Sequence, residues 1–398
     1  MAKISEPVEE VVEELDSLGH LTGVEIEDDL DAARADRPGD VINTPFDPEL
    51  IDVVTRTTTV DLLLSRVRTE RVDLQPDFQR QAGIWKAVAK SRLIESLLLR
   101  IPLPTFYAAE TDDEVWAMVD GIQRLTTIVQ FIEPESIGAE PLRLRNLEYL
   151  GKEYDNATFA DLPGRLQTRL RETELIVHLI RRGTPEEVKF NIFARINTGG
   201  LPLSRQELRH ALMPGQGRIM LRQWADSDAF TSATGHSVRS DRMADREMIL
   251  RFLAFRLTDP DGYEGDDFDR FLRVSMKALN SLSSQETEEL QRQFEKAMSA
   301  ATRIFGSYAF RKRDRHGGPR RLPINKALFE TVAVNLAVST DEQIALLVKR
   351  KDRVKDEFLK LMSDVDFQSA ISQGTGDPAK VRLRFAAIRE VFDEVADQ

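Results

Sequence analysis

The chain has 398 residues, room for two or three domains, and its 41% hydrophobic and 31% charged residues are typical of a globular protein. It contains no cysteine, which excludes disulfides and thiolate metal sites. No apolar run reaches the roughly 18 residues that a membrane span needs, and the first residues lack a signal-peptide pattern. The sequence therefore predicts a cytoplasmic protein with no membrane association.

The formal net charge of −12 is concentrated at the start of the chain, where residues 1–50 hold 15 Asp and Glu against three Lys and Arg. Such a composition predicts an acidic, flexible segment that stays in solvent. A second interpretation is that the segment mimics a polyanion and masks a basic surface of the same chain.

Strand and helix patterns alternate over the next part of the chain. TTTVDLLLSRVRT predicts a helix with a Thr cap, and AVAKSRLIESLLLR a second helix. PLPTFYAAE, EVWAMVD and ELIVHLIRR predict strands. Further helices are expected from Ile122 and Thr184, and the capping box SRQE at Ser204 begins another.

After about residue 215 the apolar residues recur at helical spacing in every long segment. We therefore predict an α+β protein in three parts. Residues 1–50 are the acidic segment, residues 51–215 an α/β domain, and residues 216–398 an all-helical domain.

The stretch MVDGIQRLTTIVQF places polar residues where a predicted strand meets a helix. A helix N-terminus offers free N–H groups and a partial positive charge, which suit a phosphate. Gly121 permits close backbone approach, and the planar guanidinium of Arg124 matches phosphate oxygens. Gln123 could donate to a phosphate or position a water molecule.

Asp120 separates two interpretations of this junction. A carboxylate repels a phosphate unless a cation bridges them, so a phosphate site here implies Mg²⁺ held by Asp120. Thr126 would add a hydroxyl in the first helical turn. The alternative is a purely structural junction, with an Asp cap, a Gly turn and Arg124 in a surface ion pair.

Two further polar junctions follow the same design. Gln79 and Arg80 lie between an extended segment and a helix, and Arg195 and Asn197 precede a Gly-Gly turn and a new helix. All three junctions could converge on one anion. Each alone is also explained by an ordinary structural link or a helix C-cap.

Taken together, LQPDFQRQAGIW, SRLIESLLLRIPLPTFYAAE, WAMVDGIQRLTTIVQF and VKFNIFARINTGGLPLSRQELRHAL resemble the prokaryotic GmrSD-type N-terminal domain, whose hallmark is D-G-Q-Q-R. The resemblance is strong over about residues 56–215. It implies a ParB/sulfiredoxin-like fold that binds and hydrolyses a nucleoside triphosphate with Mg²⁺, in restriction or anti-phage defence systems.

The resemblance also assigns roles to residues of this chain. The expected catalytic residues are Asp120, Gln123 and Arg124, with Asp120 holding the metal. The expected nucleotide-binding residues are Gln79, Arg80, Gly121, Thr126, Arg195 and Asn197. Ile122 stands where the family usually has a polar residue, which weakens the expectation of hydrolysis more than that of binding.

The HNH nuclease half that usually accompanies this domain is not recognisable, so we expect no DNA cleavage by the isolated chain. Glu187 and Lys189 form an E-x-K motif typical of some nucleases, but in a predicted helix rather than a strand. A nuclease with an unrecognised site stays open as an alternative. So does a non-enzymatic sensor or partner subunit with a vestigial nucleotide pocket, docking on a separate nuclease.

The densest basic stretch outside the acidic segment is FRKRDRHGGPRR, residues 310–321. As a loop it could track the phosphate backbone of double-stranded DNA. The candidate DNA-binding residues are Arg311, Lys312, Arg313, Arg320 and Arg321. The alternatives are a solvated loop, or a DNA footprint at KVRLRF, residues 380–385.

Overall fold

The computed structural model describes residues 11–15, 19–27, 48–74, 85–111, 113–196, 203–240, 242–265, 267–313 and 321–397. The chain divides into two compact units. The sheet unit comprises residues 44–212, and the helical unit comprises residues 1–43 together with 213–398. The predicted α+β class is confirmed. None of the described helices is both long and apolar enough to cross a membrane.

Seven strands lie in the described residues: β1 Glu13–Leu15, β2 Leu21–Glu25, β3 Val53–Thr59, β4 Val72–Asp73, β5 Phe106–Glu110, β6 Trp116–Asp120 and β7 Glu174–Ile180. The last five form one sheet in the order β3-β7-β5-β6-β4. Within it β3–β7 and β5–β6 are antiparallel, whereas β7–β5 and β6–β4 are parallel. The predicted strands β5, β6 and β7 are confirmed, and β3 was not predicted.

The helices of the sheet unit are α1 Val60–Arg68, α2 Ala87–Leu98, α3 Ile122–Ile132, α4 Gly151–Tyr154, α5 Gly164–Glu172, α6 Glu186–Ile196 and α7 Arg205–Leu212. The predicted caps are confirmed where they are described. The Thr59 hydroxyl accepts from the N–H of Leu62 at 3.3 Å. In the capping box of α7, Ser204 N–H donates to Glu207 Oε2 at 2.5 Å and Glu207 N–H donates to Ser204 Oγ at 3.1 Å.

A buried carboxylate on α2 fixes the loop that precedes α4. Glu95 accepts hydrogen bonds from three successive backbone N–H groups, of Glu148 at 3.0 Å, Tyr149 at 2.7 Å and Leu150 at 2.9 Å. Burial alone would raise the pKa of Glu95, but the three N–H donors outweigh it and lower that pKa from its ordinary value. The charged form of Glu95 therefore stabilises this loop.

Replacing Glu95 by glutamine is expected to destabilise the protein by about 1–3 kcal/mol near neutral pH, because an amide cannot match two charged acceptor oxygens. The depressed pKa means that this stabilisation is present above the ordinary value of 4.5 and is lost as pH falls through the folded value. Urea unfolding of both proteins from about pH 7 to about pH 3 should show a difference that shrinks toward acid. A difference that does not change with pH would contradict this role.

The helices of the helical unit are α8 Gln216–Ala225, α9 Asp228–Ala233, α10 Ala244–Leu257, α11 Phe268–Leu279, α12 Ser284–Phe305, α13 Lys326–Val338, α14 Asp341–Lys349, α15 Lys351–Leu361, α16 Val365–Ser372 and α17 Pro378–Asp397. At the centre, α10 and α13 are buried on nearly every side. Arg350 separates α14 from α15.

Charged residues of α10, α13 and α17 form a network inside this core. Arg384 donates from Nε and Nη2 to Glu330 Oε1, and both side chains are fully buried. Arg251 pairs with Glu247 at 2.8 Å and lies 3.7 Å from the second oxygen of Glu330. Lys326 lies 3.6 Å from Glu247. Buried charges need such partners, so the network makes the core depend on complete pairing.

The N-terminal hairpin (residues 11–15 and 19–27) corrects the expectation of a flexible acidic segment. Strands β1 and β2 pair in antiparallel fashion. Three of its glutamates pair with cations of the helical unit: Glu14 with Lys326 at 2.7 Å, Glu25 with Lys312 at 2.5 Å and Glu27 with Arg251 at 2.5 Å. Residues 1–10, 16–18 and 28–47 lie outside the described residues.

The hairpin also alters the expected domain organisation. The sequence placed residues 1–50 in a separate segment and a boundary at 215/216. The structure divides the chain at 43/44 and 212/213, and it groups residues 1–43 with the helical unit. The sheet unit is therefore an insertion between two parts of the helical unit.

Candidate functional site

The predicted junction is present at the end of β6. The strand ends at Asp120, Gly121 has φ +87°, and α3 begins at Ile122. The cap position of α3 has no side-chain hydrogen bond. Instead, the N–H of Gly121 donates to Asp120 Oδ1 at 2.8 Å. The junction thus presents a carboxylate beside the positive end of an 11-residue helix.

Arg124 is bound to the backbone that precedes β5. Its Nη1 donates to the carbonyl of Pro104, and its Nη2 donates to Thr105 O at 3.3 Å and to Asp120 Oδ2 at 3.0 Å. The guanidinium also lies 4.7 Å from the centre of the Phe106 ring. Burial lowers the pKa of Arg124 although the Asp120 carboxylate favours its charged form. The Asp120–Arg124 ion pair of the structural alternative is therefore present, with the Arg124 side chain only 12% exposed.

Gly121 is required by packing as well as by its backbone angle. A Cβ at this position would lie 2.4 Å from a ring carbon of Phe106 and 3.2 Å from Nη2 of Arg124. The positive φ also disfavours any residue with a side chain. The Phe106 ring therefore occupies the Cβ side of this glycine.

A family model described as the GmrSD restriction endonuclease, N-terminal domain, matches residues 61–214, which include the whole of this junction. Residues 61–214 are therefore similar to a GmrSD-type N-terminal domain. The resemblance seen in the sequence is confirmed for this segment, and residues 215–398 lie outside the match. The comparison with curated proteins and the comparison with solved structures found no match.

Inside the matched segment, the side chains that follow Asp120 face different surroundings. Ile122 is buried in the core, with 4% of its surface exposed. Gln123 is half-buried, and its carbonyl accepts from the Thr127 hydroxyl at 2.7 Å. Thr126 is buried, and its hydroxyl makes no hydrogen bond with any residue that the structure describes. Thr126 therefore does not present a donor to solvent at the junction.

A buried polar cluster that was not predicted from the sequence lies on α7, which packs against β6. Gln206, Arg209 and His210 are each at most 1% exposed. Arg209 Nε donates to Gln206 Oε1 at 2.8 Å, and within the described residues the amide nitrogen of Gln206 makes no hydrogen bond. The sequence does contain a pattern that indicates this cluster, because the three residues recur at helical spacing after the capping box.

The other predicted nucleotide-binding residues are only partly visible. Gln79, Arg80 and Asn197 lie outside the described residues. Arg195 lies at the end of α6 and is exposed. The expected convergence of three junctions on one anion therefore stays a prediction.

In the helical unit, Arg311 does not lie on the surface as its proposed role required. It is 2% exposed, and it donates to Leu322 O, to Thr234 O at 3.0 Å and to Ser237 Oγ at 2.5 Å. Burial and the nearby charge of Arg321 lower the pKa of Arg311 to about 10. Arg321 is exposed and also donates to Thr234 O, at 3.0 Å.

The remaining basic candidates divide in the same way. Lys312 is buried and paired with Glu25 at 2.5 Å, so it too differs from a solvent-facing DNA contact. Arg313 is half-buried, with its guanidinium 3.9 Å from the centre of the Tyr308 ring. Arg320 lies outside the described residues. Of the predicted set, only Arg313 and Arg321 are described with surface accessible to DNA.

The placement of acidic and histidine side chains limits how a metal ion could be bound. In the described parts of the chain, no three acidic or histidine side chains are grouped so as to hold a metal ion. Mg²⁺ bound with a nucleotide commonly needs only one or two protein carboxylates, since phosphates and water complete its shell. Asp120, whose side chain is 41% exposed, fits that smaller requirement.

Proposed function

We propose that the chain is a cytoplasmic nucleoside-triphosphate-binding module that associates with double-stranded DNA in a restriction or anti-phage defence system. The family of residues 61–214 supports the defence setting. The observation that carries nucleotide binding is the Asp120–Arg124 pair, 3.0 Å apart, beside the N-terminus of α3. An anion, a guanidinium and helix N–H groups are the elements that a magnesium–phosphate complex requires.

In this proposal, the Asp120 carboxylate pairs with the Arg124 guanidinium as long as no nucleotide is bound. Arg124 would then pair with phosphate oxygens, and Asp120 would turn to ligate Mg²⁺. The exchange conserves charge pairing at both groups, so neither is left unpaired in a partly buried position. Bound Mg²⁺ would neutralise phosphate charge that Asp120 otherwise repels.

We propose binding rather than rapid hydrolysis. Ile122 replaces a residue that is usually polar in the family, and its side chain is buried among apolar neighbours. Gln123 is then the single amide of the motif that could orient a water molecule. Loss of one aligned donor typically lowers a catalytic rate by ~10²–10³-fold.

Calorimetric titration with ATP, GTP, CTP and UTP in Mg²⁺ tests the proposal directly. Asp120→Asn is expected to weaken binding of the preferred nucleotide about tenfold in Mg²⁺ and to have little effect in EDTA, because the carboxylate acts through the metal. Asp113→Asn, an exposed carboxylate in the turn between β5 and β6, is the matched control. Absence of binding to the wild-type protein would end the proposal.

The proposed DNA binding is tested at Arg321. Arg321→Ser is expected to weaken duplex binding and to reduce the slope of log affinity against log salt by about 0.9, the contribution of one phosphate contact. Arg303→Ser, at an exposed arginine of α12, should leave the slope unchanged. Fluorescence anisotropy with a labelled duplex at several salt concentrations measures both. An unchanged slope for Arg321→Ser would place the DNA contacts elsewhere.

One observation favours a second candidate function. Because the guanidinium of Arg124 is engaged by two carbonyls and Asp120, the junction is also consistent with a vestigial pocket in a non-enzymatic sensor or partner subunit of a separate nuclease. Copurification with a nuclease in the absence of any nucleotide binding would support that function.

A further inference from the structure

The helical unit holds strand β2 in the way that a peptide-binding site holds a strand. The N–H of Glu25 donates to Ile324 O at 2.8 Å, and the N–H of Ile324 donates to Gly23 O at 2.9 Å. Val24, between these two residues, is fully buried and forms a parallel bridge with Ile324. Main-chain pairing of this kind supplies affinity without depending on side chains.

Two carboxylates, two residues apart, supply the specificity. Glu25 accepts from Lys312 Nζ at 2.5 Å and from Asn325 Nδ2 at 3.1 Å. Glu27 accepts both terminal nitrogens of Arg251, at 2.8 and 2.5 Å. Such forked pairing fixes both the position and the orientation of a carboxylate. Arg251, Lys312, Ile324 and Asn325 together are called the acidic-strand site below.

The site also requires glycine two residues before the first glutamate. Gly23 has φ +82°, and a Cβ there would lie 1.7 Å from the carbonyl oxygen of Ser237. Gly19, in the same hairpin, has a similar φ of +79°, and no atom of the described residues lies within 4 Å of its Cβ position. The close contact at Gly23 is therefore a property of the site and not of the hairpin.

The hairpin is held with little apolar burial. Val12, Leu15, Leu21 and Ile26 expose between 43% and 57% of their surface. Buried ion pairs add little net stability relative to the separated, hydrated partners, because desolvation offsets their attraction. A two-stranded hairpin is also marginal on its own. Release of the intact hairpin hydrates the charges on both sides at once, whereas removal of a single charge leaves its partner buried and unpaired.

We propose that the acidic-strand site binds an extended acidic peptide with the pattern T-G-V-E-x-E, which the chain's own hairpin fills and a strand from a partner protein can replace. The inference goes beyond nucleotide and DNA binding. The chemistry favours a peptide over DNA, because a phosphate backbone has no N–H group to pair with the carbonyl of Ile324.

The test uses the full chain and a fluorescein-labelled peptide of residues 19–27. In the wild-type protein the tethered strand competes at an effective concentration of about millimolar, so binding in trans should be weak. Gly23→Ala displaces the tethered strand and should tighten peptide binding at least about tenfold. Gly19→Ala, at a glycine of the same backbone angle without the close contact, should resemble wild type. A peptide with glutamine in place of Glu25 and Glu27 should not bind.

Equal peptide affinity for wild type and Gly23→Ala, or equal binding of the charged and uncharged peptides, would overturn the proposal. So would displacement of the labelled peptide by duplex DNA at equimolar concentration. If Gly23→Ala does not fold, hydrogen exchange of the wild-type chain decides. The amides of Glu25 and Ile324 should then exchange together and before those of α13, whereas exchange at the same rate as α13 would show a fixed element and overturn the proposal.

Discussion

Replacing Arg124 by alanine is expected to lower nucleotide affinity by about 30–150-fold, the equivalent of about 2–3 kcal/mol for a charge-assisted hydrogen-bonding group. The structure adds a second expected effect. Arg124 also joins α3 to the carbonyls of Pro104 and Thr105, so its loss should lower the thermal midpoint by several degrees. The measurement is calorimetric titration at a temperature where each variant is fully folded.

Two variants separate binding from stability in this experiment. Arg124→Lys keeps the charge but not the fork, and it should recover less than half of the lost binding free energy. Arg92→Ala removes an exposed arginine of the same unit that pairs with Glu148 at 2.9 Å, and it should leave affinity unchanged. If Arg124→Ala lowers stability while a folded wild-type protein binds no nucleotide, the junction is purely structural.

Replacing Arg384 by leucine is expected to destabilise the helical unit by about 3–5 kcal/mol, the effect of leaving a buried charge without its partner. Arg384 is fully buried, pairs with Glu330 and donates to Thr375 O at 2.7 Å. Glu330 would keep only Arg251, 3.7 Å away, and burial already raises its pKa against both arginines. Urea unfolding measures the loss.

The same helix provides the matched control. Arg389→Leu removes an arginine of α17 that is 48% exposed and lies 3.7 Å from Asp261, and it should change stability by less than about 0.5 kcal/mol. Glu330→Leu combined with Arg384→Leu should be less destabilised than the sum of the single variants, because no unpaired charge remains between them. Strict additivity would show that the two side chains are not energetically coupled.

Elements defined by local pattern were predictable from the sequence. The caps at Thr59 and Ser204 and the strand-to-helix junction at Gly121 depend on residues that are close in the chain. Strand β3 was missed because most of its side chains are exposed and its partner β7 is more than a hundred residues away, as the Thr55–His178 contact shows. Such pairing leaves no local periodicity.

For the site, the sequence located the junction but not its packing. Nothing local to Gly121 indicates that the ring of Phe106 fills the adjacent space, or that carbonyls before β5 bind Arg124. The basic stretch shows the same limit. Composition cannot distinguish a cation buried against a distant carboxylate, such as Lys312 with Glu25, from a solvated one such as Arg321.

The insertion of the sheet unit between the two parts of the helical unit has a consequence for synthesis of the protein on the ribosome. Glu14 precedes its partner Lys326 by 312 residues, and Glu25 precedes Asn325 by 300. Translation proceeds at about 5–20 residues per second, so the cations that pair with the hairpin are synthesised roughly 15–60 s after it. The sheet unit can fold during that interval. The hairpin is therefore translated before the sheet unit but reaches its final position after the sheet unit can fold. Its acidic composition keeps the hairpin hydrated during this interval.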